Sequence, residues 1–165
     1  MKTLYLIRHA KSSWKHPQLK DHDRPFNKRG EKDAPEMALN LRKKNIFPDI
    51  ILSSTAVRAL EYAKILAKEL NYKKKDIETS GELYLADESD MLKAVRNICN
   101  NNETAFLVGH NPGITDLANS LCNYNTDNIP TSGVFGVRFD LDSWKDADYG
   151  KGEFLMFEYP KNLNL

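Results

Sequence analysis

The sequence predicts an α/β fold: a three-layer α/β/α sandwich built around a mostly parallel sheet of about six strands. Three observations lead there. Leu4–Ile7, Asp49–Ser53 and Ala105–Val108 are short, largely apolar runs without polar alternation, the pattern of strands buried on both faces. Between such runs, apolar residues recur at helical spacing, most cleanly at Ala56, Ala59, Leu60, Ala63, Leu66, Ala67 and Leu70. Strand and helix alternate along most of the chain, which places helices on both faces of a parallel sheet.

Composition sets the bounds. A chain of 165 residues is expected to form one domain, 1–165, and 41% hydrophobic residues suffice for its core. A net charge of +1 gives no global attraction to nucleic acid or an anionic membrane, so neither is an expected partner. No apolar run reaches membrane-spanning length, and Lys2 is followed directly by a strand rather than by a signal sequence. A cytoplasmic location is the expectation. Cys99 and Cys122 each fall in an apolar helical pattern and read as buried free thiols rather than a disulfide or a metal site.

The elements follow in order. The first strand, Leu4–Ile7, stops at Arg8 and His9. In open α/β sheets ligands bind outside the carboxyl ends of strands. Arginine presents a planar fork to phosphate, and histidine serves as base, acid or nucleophile near neutral pH. A solvated strand end is the bland alternative for this dipeptide alone. The polar stretch from Lys15 to Arg24 holds His16, Asp21, His22 and Asp23, a set whose spacing fits no closed zinc site. Asn27 suits the cap of a helix through Met37, Ala38 and Leu41, with Pro35 either separating a first turn or kinking the helix. After the second strand, Ser54 or Thr55 caps the next helix. Arg58 sits in that helix's first turn, where a cation opposes the helix dipole unless an anion is shared there.

A short third strand covers Ile77–Thr79, and Asp87 or Ser89 caps a helix burying Met91, Leu92, Val95, Ile98 and Cys99. The fourth strand runs into Gly109-His110-Asn111-Pro112-Gly113, with Asn111 as N-cap and Pro112 at the first helical position. His110 thus stands between a buried strand and a helix start; a purely structural histidine is the alternative. Val134–Leu141 alternates and reads as a half-exposed or edge strand, and Phe154–Tyr159 is the last strand, with one antiparallel edge expected among these two.

Three strand ends therefore carry Arg8, His9, Arg58 and His110. Two arginines and two histidines are suited to surround one phosphoryl group, whose transfer depends on positioning and electrostatic stabilisation. The chain has no Walker motif, no cysteine phosphate loop and no Asp directly after the first strand. A neutral imidazole remains as a nucleophile able to attack phosphorus.

This set resembles the histidine phosphatase superfamily, which includes phosphoglycerate mutases and acid phosphatases, and within it the small SixA-type phosphohistidine phosphatases. The carriers are Leu6–Ser12, Arg24–Gly30, Leu52–Ser54 with Arg58-Ala59, and Val108–Pro112. The resemblance implies a phosphoglycerate mutase-like fold, His9 as nucleophile, and Arg8, Arg58 and His110 completing the phosphate pocket. It implies Glu82 as the acid that protonates the leaving group, with Asp87 as runner-up; both also read as plain loop carboxylates or caps. Ala10 replaces the glycine of many members, and Ser12–Lys15 replaces the segment that carries an asparagine in the mutases. With two permanent cations at the pocket, neither a metal nor another cofactor is expected. The implied substrate is phosphohistidine on a protein. The rivals are a small phosphate ester, taken by a phosphomonoesterase or mutase, and a non-catalytic phosphate-binding module.

Overall fold

The computed structural model describes residues 1–165. Six strands form one sheet: β1 (Lys2–Arg8), β2 (Ile50–Ser54), β3 (Glu78–Ser80), β4 (Thr104–Gly109), β5 (Val134–Phe139) and β6 (Glu153–Glu158), in spatial order β3-β2-β4-β1-β5-β6. The first four are parallel; β5 runs antiparallel to β1, and β6 antiparallel to β5. The long helices are α1 (Lys28–Lys43), α2 (Val57–Glu69), α3 (Glu88–Arg96) and α4 (Gly113–Cys122).

Alternation along β1 divides the core. Tyr5 and Ile7 join Ile51, Phe106 and Val108 beneath Met37 and Leu41 of α1 and Tyr62 and Leu66 of α2. Leu4 and Leu6 join Leu107 and Phe135 beneath Met91 and Val95 of α3 and Leu117 and Leu121 of α4. Both faces of the sheet are covered, which is why β1 and β4 carry continuous apolar runs. Register aligns Arg8 with Gly109, so β1 and β4 end together and deliver Arg8-His9 and His110 to one edge of the sheet.

Several local expectations hold. Asn27 accepts the Gly30 N–H at 2.9 Å and caps α1; Asp87 accepts the Asp90 N–H at 2.8 Å and caps α3. Gly30 has a steric reason: a Cβ there would lie 2.2 Å from the Lys11 carbonyl oxygen. That close approach presses the start of α1 onto the segment that follows His9.

Other expectations are corrected. α1 is one continuous helix through Pro35, with no separate first turn. Proline removes one helical hydrogen bond, but the Glu31 end of that bond faces water, while Ala34, Met37, Ala38 and Leu41 bury one stripe across the site. α2 has no side-chain cap: the Ser54 hydroxyl accepts the Ala56 N–H at 3.1 Å, and Thr55 bonds His22 instead. α4 begins at Gly113 with Pro112 in the cap position, because the Asn111 side chain is engaged elsewhere. β5 is an interior, buried strand; the polar residue that makes it look alternating, Arg138, pairs across to Glu153 of β6 at 3.0 Å. The antiparallel edge is β6, with Phe154 and Leu155 exposed. Cys99 is exposed because α3 stops at Arg96, and Cys122 is half-buried with its thiol pushed up to about 11 by burial; both thiols are free.

Candidate active site

The ends of β1, β2 and β4 bring Arg8, His9, Arg58 and His110 together. The chain around His9 is fixed by its backbone. Arg8 N–H donates to Gly133 O at 3.0 Å, His9 N–H to Gly109 O at 3.1 Å, and Ser132 N–H to His9 O at 3.0 Å. His9 is 7% exposed, and its Nδ1 lies 2.8 Å from the Ala10 carbonyl oxygen. A carbonyl only accepts, so Nδ1 carries the proton and Nε2 keeps its lone pair. Arg58 Nε–H points at that lone pair from 3.4 Å.

Arg58 is 3% exposed and reaches in three directions: to His9, to Asp21 through Nη1 (backbone oxygen, 2.7 Å) and Nη2 (Oδ2, 2.9 Å), and to Nδ1 of His110 at 3.5 Å. His110 is 1% exposed, and its Nε2 lies 2.7 Å from the Ser54 hydroxyl. The two imidazole rings stand 5.1 Å apart. Arg8 donates Nη1 to Ile129 O at 3.0 Å; its Nε is buried without a hydrogen-bond partner. The donor edge formed by Nε and Nη2 is thus uncommitted, the edge that binds an oxyanion in a fork.

Burial and neighbouring cations set the protonation states. Burial, reinforced by His110, Arg58 and Arg8 against the pull of the Ala10 carbonyl, lowers His9 to about 3. Burial and then Arg58 lower His110 to about 4. Both rings are neutral near pH 7, the state in which an imidazole nitrogen keeps a lone pair free for base or nucleophile chemistry. Burial also lowers Arg8, with the charge of Arg58 adding to it.

Of the residues anticipated at the site, Glu82 and Asp87 are not brought to the other four. Glu82 is exposed and lines a separate hollow of about 420 Å³ with Ser80, Leu83, Asp90 and Lys93. Asp87 spends its carboxylate on the cap of α3 and on the Ser89 hydroxyl, bonds that lower its pKa. The carboxylate that does reach the site is Asp21. It accepts from Arg58, from the Tyr84 hydroxyl at 2.5 Å and from Arg24 at 3.1 Å. Partial burial works to raise its pKa, but the Tyr84 and Arg58 hydrogen bonds and the two guanidinium charges outweigh it and hold Asp21 at about 2.

Tyr84 also lays its ring edge-on to His110 at 5.5 Å. The Lys15–Arg24 loop therefore borders the site through Asp21. It does so as an anion for Arg58, while His22 turns to Thr55 at 2.8 Å. Asp21, Tyr84 and Ile129 border the site without a sequence motif that marks them; the sole signal in the sequence is the acidic cluster of that loop.

Residues 4–91 match the family model of the histidine phosphatase superfamily (branch 1). The chain belongs to that superfamily. An uncharacterized chloroplastic protein of Arabidopsis thaliana is 31% identical over 87% of this chain and 69% of its own length. Among solved structures, one from Agrobacterium tumefaciens assigned as the phosphohistidine phosphatase SixA is 26% identical, covers 96% of this chain and 98% of its own, and superposes with a TM-score of 0.83. The protein histidine phosphatase SixA complexed with tungstate shares the fold at a TM-score of 0.83 and 22% identity, over 98% and 99% of the two chains. The fold is SixA-like and phosphoglycerate mutase-like, and family and neighbours together support a phosphatase.

Proposed function

We propose that this histidine phosphatase superfamily member, as one domain over 1–165, hydrolyses phosphohistidine carried on a protein, through a phosphohistidine intermediate on its own His9. The observation that carries the substrate assignment is the state of Asp21. The carboxylate that touches the site is held at about 2 and is a poor proton donor. An ester with a poor leaving group needs such a donor. A phosphorylated imidazole does not, because its second nitrogen is already protonated near neutral pH and the ring departs neutral.

In the first step the phosphoryl oxygens lie against Arg8, Arg58 and His110. Nε2 of His9 attacks phosphorus, and the P–N bond to the substrate imidazole breaks with its electron pair returning to that nitrogen. His9 becomes an N-phosphoimidazolium, and its retained Nδ1–H strengthens its bond to the Ala10 carbonyl. Water then attacks phosphorus, the P–Nε2 bond breaks, the pair returns to Nε2, and the proton shed by water passes to a phosphoryl oxygen. The SixA phosphohistidine phosphatases that share this fold support the same substrate class. No helix is long and apolar enough to cross a membrane.

The test compares kcat/KM for a phosphohistidine-bearing protein domain with that for sugar phosphates, phosphoglycerates and an aryl phosphate. The protein is expected to be the best substrate, and a quenched reaction with labelled phosphate to trap an acid-labile adduct that His9→Ala abolishes. Faster turnover of a small ester overturns the substrate assignment. Near-normal turnover by folded His9→Ala overturns the covalent mechanism, and no turnover of any phosphate leaves only the binding module.

A further inference from the structure

We propose that Asn111 and Thr115 are positioning residues that aim the Arg8 guanidinium at the phosphoryl group, acting through the backbone of Ile129. The inference rests on the reading of Arg8 as a phosphate ligand.

Three hydrogen bonds make a closed ring beside the site, and a fourth leads out of it to Arg8. Ile129 N–H donates to the Thr115 hydroxyl at 3.0 Å, the Thr115 hydroxyl donates to Oδ1 of Asn111 at 2.7 Å, and Nδ2 of Asn111 donates to Ile129 O at 3.1 Å. The fourth bond leaves the ring: the same Ile129 oxygen accepts Nη1 of Arg8 at 3.0 Å. The second hydrogen of the Asn111 amide goes to Oδ1 of Asn128 at 2.6 Å. A carbonyl oxygen has two lone pairs, and here Asn111 holds one while Arg8 takes the other.

The ring is rigid for stated reasons. Ile129 is fully buried in the α3/α4 core, Thr115 is buried on α4, and buried polar groups that are all paired fix one arrangement. Its consequence falls on Arg8. With Nη1 committed to a fixed acceptor, the planar fork has one orientation left, and its Nε and Nη2 edge is the one without partners. Asn111 directly follows His110, so the ring ties the β4 half of the site to the β1 half. The segment it anchors returns the favour two ways: Gly133 O accepts Arg8 N–H, and Ser132 N–H donates to His9 O. Tyr62 of α2 holds Ser132 O at 2.8 Å from the opposite face. The buried Ile129 side chain, the backbone bonds of Ser132 and Gly133 and the Tyr62 hydroxyl already hold the loop in place. The ring adds direction at Arg8.

The experiment is a double-mutant cycle read by binding of inorganic phosphate, followed by phosphorus NMR up to millimolar concentration. Thr115→Val keeps the side-chain shape and removes the hydroxyl; it is expected to weaken phosphate about tenfold, in line with loss of one or two buried hydrogen bonds. Thr115→Ser restores binding. In the Arg8→Ala background, Thr115→Val changes nothing further. Asn111→Ala, at a half-buried position, serves as the second variant and should behave like Thr115→Val. Equal weakening in both backgrounds, or none in either, overturns the positioning role while Arg8 remains a ligand. Unchanged phosphate binding by Arg8→Ala alone instead removes the reading on which the inference rests.

Discussion

Burying two neutral histidines side by side makes stability depend on pH in a calculable way. His9 and His110 bind a proton near pH 6.5 in an unfolded chain, but only at about 3 and about 4 in the folded one. Between those values the unfolded chain holds more protons, so stability is complete above the unfolded pKa and falls as pH drops. At about pH 5 both folded values still lie below the solution pH, so the size of the effect is set by the unfolded pKa alone. The 1.5 pH units between 6.5 and 5, at about 1.4 kcal/mol each, give about 2 kcal/mol per imidazole and about 4 kcal/mol for the pair.

Both side chains are almost wholly buried, so little of this is lost to solvent screening. The assay is urea unfolding at pH 7.5 and pH 5. Wild type should lose about 4 kcal/mol from the pair, and His9→Gln about 2 kcal/mol less of that loss. Contributions from every other group cancel in the difference between the two proteins. If His9→Gln loses as much stability as wild type over this interval, His9 is not held neutral by burial, and the account of its nucleophilic state fails with it.

Two further predictions follow from local geometry. Glu82→Gln should slow alkyl and aryl phosphates equally and slightly, since this carboxylate faces the Asp90 and Lys93 hollow; selective slowing of alkyl esters in a leaving-group series would return it to the role of proton donor. Gly30→Ala should cost about 1–3 kcal/mol in thermal or urea unfolding, because its Cβ would meet the Lys11 carbonyl at 2.2 Å, and turnover should fall with it as the neighbouring Ala10 carbonyl shifts off His9; wild-type stability and rate would refute the close approach.

What the sequence made legible is what local physics controls. The buried strands β1 and β4 announced themselves by apolar runs, and Arg8, His9 and His110 by standing at their ends. Arg58 was visible as a cation in the wrong half of a helix dipole, and the structure supplies it with the anion of Asp21. Asn27 and Asp87 were readable as caps because capping acts over three residues. The remainder was hidden by sequence distance. Asp21 meets Tyr84 across 63 positions, and Arg8 meets the Ile129 carbonyl across 121, a contact made by backbone that any residue type supplies. β5 misled because its polar signal came from Arg138, a partly exposed residue near its end that pairs with Glu153 of β6, and from Asp140 beyond the strand, while its other residues are buried.

The placement of β1 has a consequence for the newborn chain. Both of its neighbours are synthesised far later: Leu6 pairs with Leu107 on one side and Phe135 on the other. Ribosomes add about 5–20 residues per second, so the strand that carries His9 waits several seconds with Leu4–Ile7 uncovered. Pairings this remote along the chain also slow folding itself. Catalytic competence therefore arrives late in synthesis. A ribosome stalled before β5 releases a chain whose Arg8-His9 segment lacks its bonds to residues 129–133, with a sticky first strand for chaperones and proteases to find.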